Sequence, residues 1–357
     1  MSMKPILTSF LLISFFALTL VRHQLARPSF SEGDLIQITT KVADEPIRYQ
    51  TAQYLRLKGL KVYLPLYPEI HYGDKVVVQG QVEGDKLASP QLVQILHSSN
   101  PIFLTRQKIL DFFTDCLPQP HAALVAGVVL GSKSGLPDSF YTKLKDTGTI
   151  HVVVASGMNV TLVAGFLLSS ALTITSRKKA VILSLVGIWL YSILSGFDAP
   201  IIRASIMGTI AFSAQGLGKL YNAVRALIIS ALLMLLVNPG WLTDLGFILS
   251  FVATASLMLF ESRVANLLRF VPKIIRENLS TTIAAQIGVA PILFVTFGQF
   301  NILSPLINAL ILWTIPPMTI IGMLVGTLAL VLPQIAKFII LLVYPLTTWF
   351  VKVVELF

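Results

Sequence analysis

The chain has 357 residues, of which 55% are hydrophobic and 12% are charged, and its formal net charge is +10. Soluble domains carry about 25% charged residues, and the mean hydropathy of +0.78 is strongly apolar. This composition excludes a disordered chain and most soluble enzymes, the single cysteine excludes a disulfide scaffold, and what remains is a polytopic membrane protein.

The N-terminus carries an apolar run that follows Lys4 and extends to Val21. A cleaved signal peptide has a similar pattern but ends in a small-residue cleavage site. No convincing site of that kind precedes Arg22. We therefore interpret residues 1–22 as an uncleaved transmembrane anchor, with a cleaved signal as the alternative.

Residues 23–104 are more polar, and their apolar residues alternate with polar ones. Turn signals separate four or five short strands between residues 31 and 98, a pattern typical of a small barrel such as an OB-fold. Tyr54 and Tyr63 either stack on nucleic-acid bases or pack within the barrel.

Residues 105–150 form an intermediate segment. The pattern from Arg106 to Cys116 predicts an amphipathic helix at the membrane interface. The apolar run from Ala122 to Leu130 is too short to span a bilayer, and a turn and another short helix follow it. We expect a broken or re-entrant element there, shielded from lipid.

From residue 151 to residue 357, apolar runs that predict about eight membrane spans follow one another closely. The expected spans cover residues 151–173, 181–196, 200–217, 222–238, 244–260, 280–297, 303–331 and 335–354. The seventh contains Pro316 and Pro317, so it is either one kinked helix or two half-spans.

Basic loops predict the orientation, because short cytoplasmic loops carry an excess of Lys and Arg. The basic residues between spans lie at 177–179, at 219 and 225, and at 263–276. All three groups fall on one side when the spans alternate. The prediction is a multi-pass α-helical protein of the cytoplasmic (inner) membrane, with a cytoplasmic N-terminus and a small extracytoplasmic all-β, OB-like domain.

Polar residues inside the spans are functional candidates, because ionisable groups are costly in the hydrocarbon core. His151, Ser156, Gly157 and Asn159 cluster at the start of the first span. Ser156 and Asn159 are three residues apart and are expected to share a helix face. The alternative is that the small residues serve close helix packing.

Further polar candidates occur in the later spans. Asp198 and Arg203 near the start of the third span either form an ion pair or face a polar conduit. Asp244 is suited to be a helix N-cap. Gln299 and Asn308 add amides.

The chain lacks the sequence motifs of common catalytic and metal sites. Its five histidines include no H-E-x-x-H pair and no Cys/His cluster. Gly218-Lys219 is followed by Leu220, so there is no P-loop, and no G-x-S-x-G elbow with a triad is present. We predict no enzyme, no metal and no cofactor.

Four strings of residues occur in a specific order. The first, at 147–159, reads T-G-T-I-H-V-V-V-A-S-G-M-N, and the second, at 196–207, places Gly-Phe before Arg-Ala and Met. The third, at 238–253, has the form N-P-x-x-L-x-D-x-G-F-x-L-S-F-x-A, and the fourth, at 297–308, runs from F-G-Q to P-L-I-N. Together they resemble the ComEC family, the inner-membrane DNA channel of natural competence, over roughly residues 105–335.

The resemblance implies that a single strand of DNA passes through the helical domain into the cytoplasm. It implies an extracytoplasmic DNA receptor and a cytoplasmic motor or helicase as partners, with a separate nuclease or a homo-oligomer as further options. Asn159 stands where the family has a second histidine. The chain resembles a short form without the C-terminal metallo-β-lactamase-like domain.

Phosphates need polar partners inside a membrane, so the conduit wall must offer hydroxyls, amides and a few cations. Arg203 is the best candidate for a phosphate contact, and His151 is expected at the outer mouth. The other residues expected to line or structure the conduit are Ser156, Gly157, Asn159, Asp198, Asp244, Gln299 and Asn308. A weaker DNA-binding set comprises Tyr54, Tyr63, Arg106, Lys108, Lys133, Lys143 and Lys145.

Two other functions fit the sequence. Broken helices and paired polar residues also suit a secondary transporter of a small anionic solute, although no repeat relates the two halves. A non-conducting membrane scaffold is the third hypothesis.

Overall fold

The structure is a computed structural model of the chain. It describes residues 15, 17–24, 30–43, 45–49, 51–132, 134–153, 156–297, 301 and 303–357. Most of the anchor predicted at residues 1–22 lies outside this set, and its described part is helical and continues to residue 24.

A six-stranded sheet forms the N-terminal domain, with the strand order β1-β5-β6-β4-β3-β2. The strands are β1 (Leu35–Lys41), β2 (Ile47–Arg48), β3 (Ala52–Leu57), β4 (Leu60–Pro65), β5 (Lys75–Glu83) and β6 (Lys86–Leu96). β4 and β6 pair in parallel and the other neighbours are antiparallel. Alternate residues of these strands, among them Leu55, Val62 and Val78, form one buried core.

The sheet corrects the predicted strands in two places. β2 is an additional two-residue strand paired with β3. β6 begins at Lys86 and not near Leu92, because an irregularity in its pairing with β5 accommodates Ser89 and Pro90. Proline has no N–H for a regular ladder and is therefore confined to edges and bulges, which is why the sequence pattern hid this half of the strand.

Helices make up the rest of the described chain. They are α1 (Pro101–Cys116), α2 (His121–Leu130), α3 (Asp138–Asp146), α4 (Ile150–Val153), α5 (Gly157–Leu172), α6 (Arg177–Leu194), α7 (Ala199–Gly216), α8 (Ala223–Val237), α9 (Leu245–Leu267), α10 (Lys273–Phe297), α11 (Ser304–Ile311), α12 (Ile315–Ala329), α13 (Pro333–Ile339) and α14 (Tyr344–Leu356). Short 3₁₀ turns cover Pro239–Thr243, Leu312–Thr314 and Ile340–Val343.

Five stretches, counted over the part of the chain that the structure describes, are long and apolar enough to cross a membrane, and the first of them joins α4 and α5. They are Ile150–Leu172, Leu245–Leu267, Arg276–Thr296, Ser304–Ala329 and Pro333–Leu356. The chain is therefore a multi-pass membrane protein. The other three expected spans coincide with α6, α7 and α8, and their crossing of the membrane stays a prediction.

The structure resolves one alternative left by the sequence and corrects one boundary. Only a 3₁₀ turn separates α11 from α12, so the stretch with Pro316 and Pro317 is one helical element and not two half-spans. α10 begins at Lys273, so part of the expected basic loop before residue 280 is helical.

The largest hydrophobic core surrounds α2, whose residues from Ala122 to Leu130 are all buried. This short helix is held by close approaches of α12. A Cβ built on Gly322 would lie 2.5 Å from Val129 of α2, and one on Gly326 would lie 2.7 Å from Ile109 of α1. Small residues thus let α12 contact both α1 and α2 directly.

α1 differs from its prediction. It begins at Pro101 and not at Arg106, because the side chain of Asn100 accepts a hydrogen bond from Ile102 N at 2.9 Å and caps the helix. Its buried face, including Ile109 and Phe113, belongs to the main core. α1 therefore packs one face into the protein core, and its expected position at the membrane interface stays a prediction.

Candidate functional site

Arg203 of α7 lies half-buried between helices and binds two hydroxyl groups of α9. Its Nε donates to Ser250 Oγ at 2.7 Å, and its Nη1 donates to Thr254 Oγ1. Ser250 and Thr254 are one helical turn apart and so share a face. The Thr254 hydroxyl also donates to the Ser250 carbonyl at 2.9 Å, which leaves its oxygen lone pairs to accept from Arg203.

Gly157, the first residue of α5, makes room for the same guanidinium. A Cβ at this position would lie 2.9 Å from Arg203 Nη2 and 3.1 Å from Ala204 Cβ. This tight space fits the close-packing alternative for the glycine. Any side chain here would push α5 away from α7 or displace Arg203.

Ser156 occupies a different position from the one expected. α4 ends at Val153 and α5 begins at Gly157, so Ser156 is the N-cap residue, with extended backbone angles and no capping bond from its side chain. It does not share a helix face with Asn159, because it precedes the helix.

Asn159 is buried beneath α2. Its Nδ2 donates to Val128 O at 2.8 Å. Its Oδ1 is buried and has no hydrogen-bond partner among the described residues. The same holds for Tyr191 Oη in α6 and for Ser195 Oγ, directly after the end of α6. Tyr191 faces both Asn159 and Ser195. Sequence reasoning missed Tyr191 and Ser195, since neither stands out within an apolar run.

A second polar cluster surrounds Ser304 at the start of α11. Its Oγ accepts from Gln286 Nε2 at 3.0 Å and from Asn308 Nδ2 at 3.3 Å. A Cβ at Gly148 would lie 2.7 Å from the same oxygen. Asn308 Oδ1 is buried and has no hydrogen-bond partner among the described residues.

The remaining expected site residues are dispersed. Asp244 caps α9, its Oδ1 accepting from Phe247 N at 2.8 Å, as predicted. Asp198 lies at the N-cap position of α7 without a side-chain capping bond. The described partners of Arg203 include the hydroxyls of Ser250 and Thr254 and the sulfur of Met207, and its ion pair with Asp198 stays one of the two alternatives left by the sequence. His151 is exposed, and Gln299 lies outside the described residues.

The residues of the weaker DNA-binding set differ in their exposure. Arg106 is buried in an ion pair with Glu45, so the expectation of an exposed basic contact is wrong for this residue. Lys108, Lys143 and Lys145 are exposed, and Lys133 lies outside the described residues.

Tyr54 and Tyr63 face each other across β3 and β4. Their ring centroids are 5.2 Å apart, and Tyr63 is 44% exposed. The pair therefore lies on the open face of the sheet and outside its core. In the part of the chain that the structure describes, no group of three or more His, Cys, Asp and Glu side chains is placed to hold a metal ion.

The four strings singled out in the sequence meet in space. Gly157 of the first string contacts Arg203 of the second, which bonds to Ser250 of the third. Gly148 of the first string contacts Ser304 in the fourth. The family model described as competence protein matches residues 128–357, more than half of the chain. The chain belongs to the competence protein family.

Three curated relatives are similar to parts of the chain. "ComE operon protein 3" of Bacillus subtilis is 31% identical over 207 residues, which cover 57% of this chain and 26% of that protein. An uncharacterized protein of Aquifex aeolicus is 30% identical over 232 residues, 63% of this chain and 52% of the relative. The uncharacterized protein YcaI of Escherichia coli is 24% identical over 226 residues, 58% of this chain and 29% of the relative.

The chain therefore spans between about a quarter and half of the length of these relatives. No solved structure gives a significant match.

Proposed function

We propose that this competence family member passes a single strand of DNA across the inner membrane into the cytoplasm during natural transformation. The family membership supports a role in DNA uptake. The observation that carries the proposed conduit is the environment of Arg203, whose described hydrogen-bond partners include Ser250 and Thr254 and no carboxylate.

An arginine within apolar helices is costly unless it has a polar or anionic partner. Neutral hydroxyls orient the guanidinium without neutralising it. A DNA phosphate would supply the missing negative charge, and charge-assisted bonds between a guanidinium and a phosphate are strong and directional. Arg203 is thus suited to contact successive phosphates in a passing strand.

Polar side chains near Arg203 extend the proposed conduit. The Ser250 oxygen accepts from Arg203, so its hydroxyl can at the same time donate to a phosphate oxygen. Asn159 adds a buried amide beneath α2. His151 would lie at the outer mouth, and Asn308 would structure the wall. The partners proposed from the sequence, an outer DNA receptor and a cytoplasmic motor, supply capture and energy.

Contacts between the two domains support the proposed orientation. Arg106, the partner of Glu45 from the β domain, donates to Leu194 O at the end of α6. That end of α6 is opposite to its basic start at Arg177. If the basic loops are cytoplasmic, the β domain is extracytoplasmic, where the Tyr54–Tyr63 pair would meet incoming DNA and stack on its bases.

The experiment compares Arg203→Gln with Arg225→Gln in a transformable host. Arg225 is an exposed arginine of α8, so its variant removes the same charge without touching the hydroxyl pair. One charge-assisted bond contributes about 1.5–3 kcal/mol, so we expect uptake of labelled DNA to fall about tenfold or more in Arg203→Gln alone. Equal uptake by both variants at matched membrane abundance would remove Arg203 from the pathway.

A further inference from the structure

The β domain is joined to the helical domain by a buried ion pair. Arg106 of α1 binds Glu45, which lies between β1 and β2, and their side chains are only 5% and 10% exposed. Glu45 comes from the β domain and Arg106 from the first core helix. The pair therefore crosses the boundary between the two domains.

Both members of the pair bind additional groups. Arg106 Nε donates to Leu194 O at 2.8 Å, and its Nη2 donates to Leu130 O at 3.2 Å. Glu45 Oε1 accepts from Ser132 Oγ at 2.5 Å and from Ser134 Oγ at 3.0 Å. One ion pair thus connects the β1–β2 loop with α1, with the loop after α2 and with the end of α6.

An aromatic contact one turn earlier on α1 forms the second part of this boundary. The ring of Phe103 packs edge-on against Tyr72 at 5.0 Å between centroids, and Lys41 Nζ lies 4.4 Å from the Phe103 centroid. A Cβ on Gly73 would lie 2.7 Å from Phe103. α1 therefore holds the β domain near its start, while its buried face packs against α12.

The rest of the boundary is loosely filled. A cavity of about 260 Å³ lies beside the ion pair and is lined by both domains, including Arg48, His71 and Gln107. Apolar packing therefore does not fix the β domain over this region. Beside this cavity, the polar contacts of Glu45 and Arg106 hold the β domain together with the aromatic contact of Phe103.

Burying two charges costs several kcal/mol per ion, and apolar side chains of similar volume give equal or greater stability. A buried ion pair instead favours one relative position of the two domains over slightly shifted positions, because a shift would leave both charges buried and unpaired. We propose that Glu45 and Arg106 are positioning residues that hold the β domain in one register on the helical domain. The proposal rests on the proposed function in one respect: the register would align DNA bound outside with the entrance near α5 and α7.

The test measures the distance between the domains in the full chain, purified in detergent. Spin labels are placed on the exposed residues Val93 of the β domain and Ile174 of the helical domain, in a Cys116→Ala background, and read by pulsed electron resonance. Wild type should give one narrow distance distribution. Glu45→Gln and Arg106→Gln should at least double its width, and Ser132→Ala should widen it less.

The control is Lys61→Gln. It breaks an ion pair with Asp85 (2.6 Å) that lies within the β domain and away from the cavity, and it should leave the width unchanged. If Arg106→Gln does not fold, the width measured for Glu45→Gln is used, because this variant preserves the side-chain shape. If neither folds, the width measured for Ser132→Ala is used. Folded variants with the wild-type width would overturn the proposal.

Uptake of DNA is measured separately, and the docking role of Glu45 and Arg106 is judged from the distance distributions alone. A widened distribution together with reduced uptake supports both the docking role and the alignment. A widened distribution with unchanged uptake supports the docking role and contradicts its link to DNA entry. A failure of the proposed conduit would therefore show in uptake and not in the measured width.

Discussion

Gly127→Ala should destabilise the protein, although alanine is the better helix former. Gly127 is buried in α2, and a Cβ there would lie 2.5 Å from Val153 O and 3.2 Å from Ser132 O. Both neighbours are backbone oxygens, so no side chain can rotate away. α4 or the loop after α2 must move, and such overpacking costs about 1–3 kcal/mol.

Gly165→Ala is the matched control. Gly165 lies within α5, and a Cβ there would meet nothing within 4 Å. The substitution therefore changes only the helix propensity, and alanine in place of glycine stabilises a helix interior by about 0.5–1 kcal/mol. Both variants gain this helix stabilisation, so it cancels between them, and their unfolding free energies should differ by the overpacking cost alone, about 1–3 kcal/mol.

The assay is thermal unfolding of the purified chain in detergent, followed by intrinsic tryptophan fluorescence. A difference of 1 kcal/mol corresponds to about 2–4 °C for chains of 150–250 residues and to less for longer ones. Gly127→Ala should melt below wild type, and Gly165→Ala at or above it. If Gly127→Ala melted with Gly165→Ala, the tight contact between α2 and Val153 O would be refuted.

Two other predictions test separate parts of the structure. Asp244→Ala should lower unfolding stability by about 0.5–2 kcal/mol through loss of the α9 cap, while Asp244→Asn retains the acceptor and most of the stability; equal losses in the melting assay would contradict the capping role. Reporters fused at Lys178 and Lys273 should both indicate the cytoplasm, and one inserted at Gly84, in the β5–β6 turn, should indicate the outside. An outside signal at either lysine would overturn the orientation.

Local patterns predicted the elements well. Apolar runs marked the described helices because each span must satisfy its backbone internally over a fixed length. The Asp244 cap followed from residue type and position alone. Boundaries were less accurate: α6 begins at Arg177 and not at residue 181, since a basic first turn is compatible with a helix even where it is too polar for the bilayer.

Contacts between distant residues could not be predicted in the same way. Arg203 bonds to Ser250 and Thr254, which lie 47 and 51 residues away. Hydroxyls in membrane helices usually bond to their own backbone, so the sequence does not mark those that accept from elsewhere. The Glu45–Arg106 pair was missed for another reason. An isolated glutamate in a polar loop looks solvent-exposed until the domain that covers it is known.

The most direct test of the proposed conduit uses sealed vesicles reconstituted with the purified chain. Fluorescent single-stranded DNA is driven inward by a membrane potential that is positive inside, and protected DNA is counted after external nuclease treatment. We expect accumulation with wild type and Arg225→Gln, and about tenfold less with Arg203→Gln. Flux of small anions without DNA, or no flux of either kind in vesicles containing folded wild-type protein, would contradict passage of DNA through this domain.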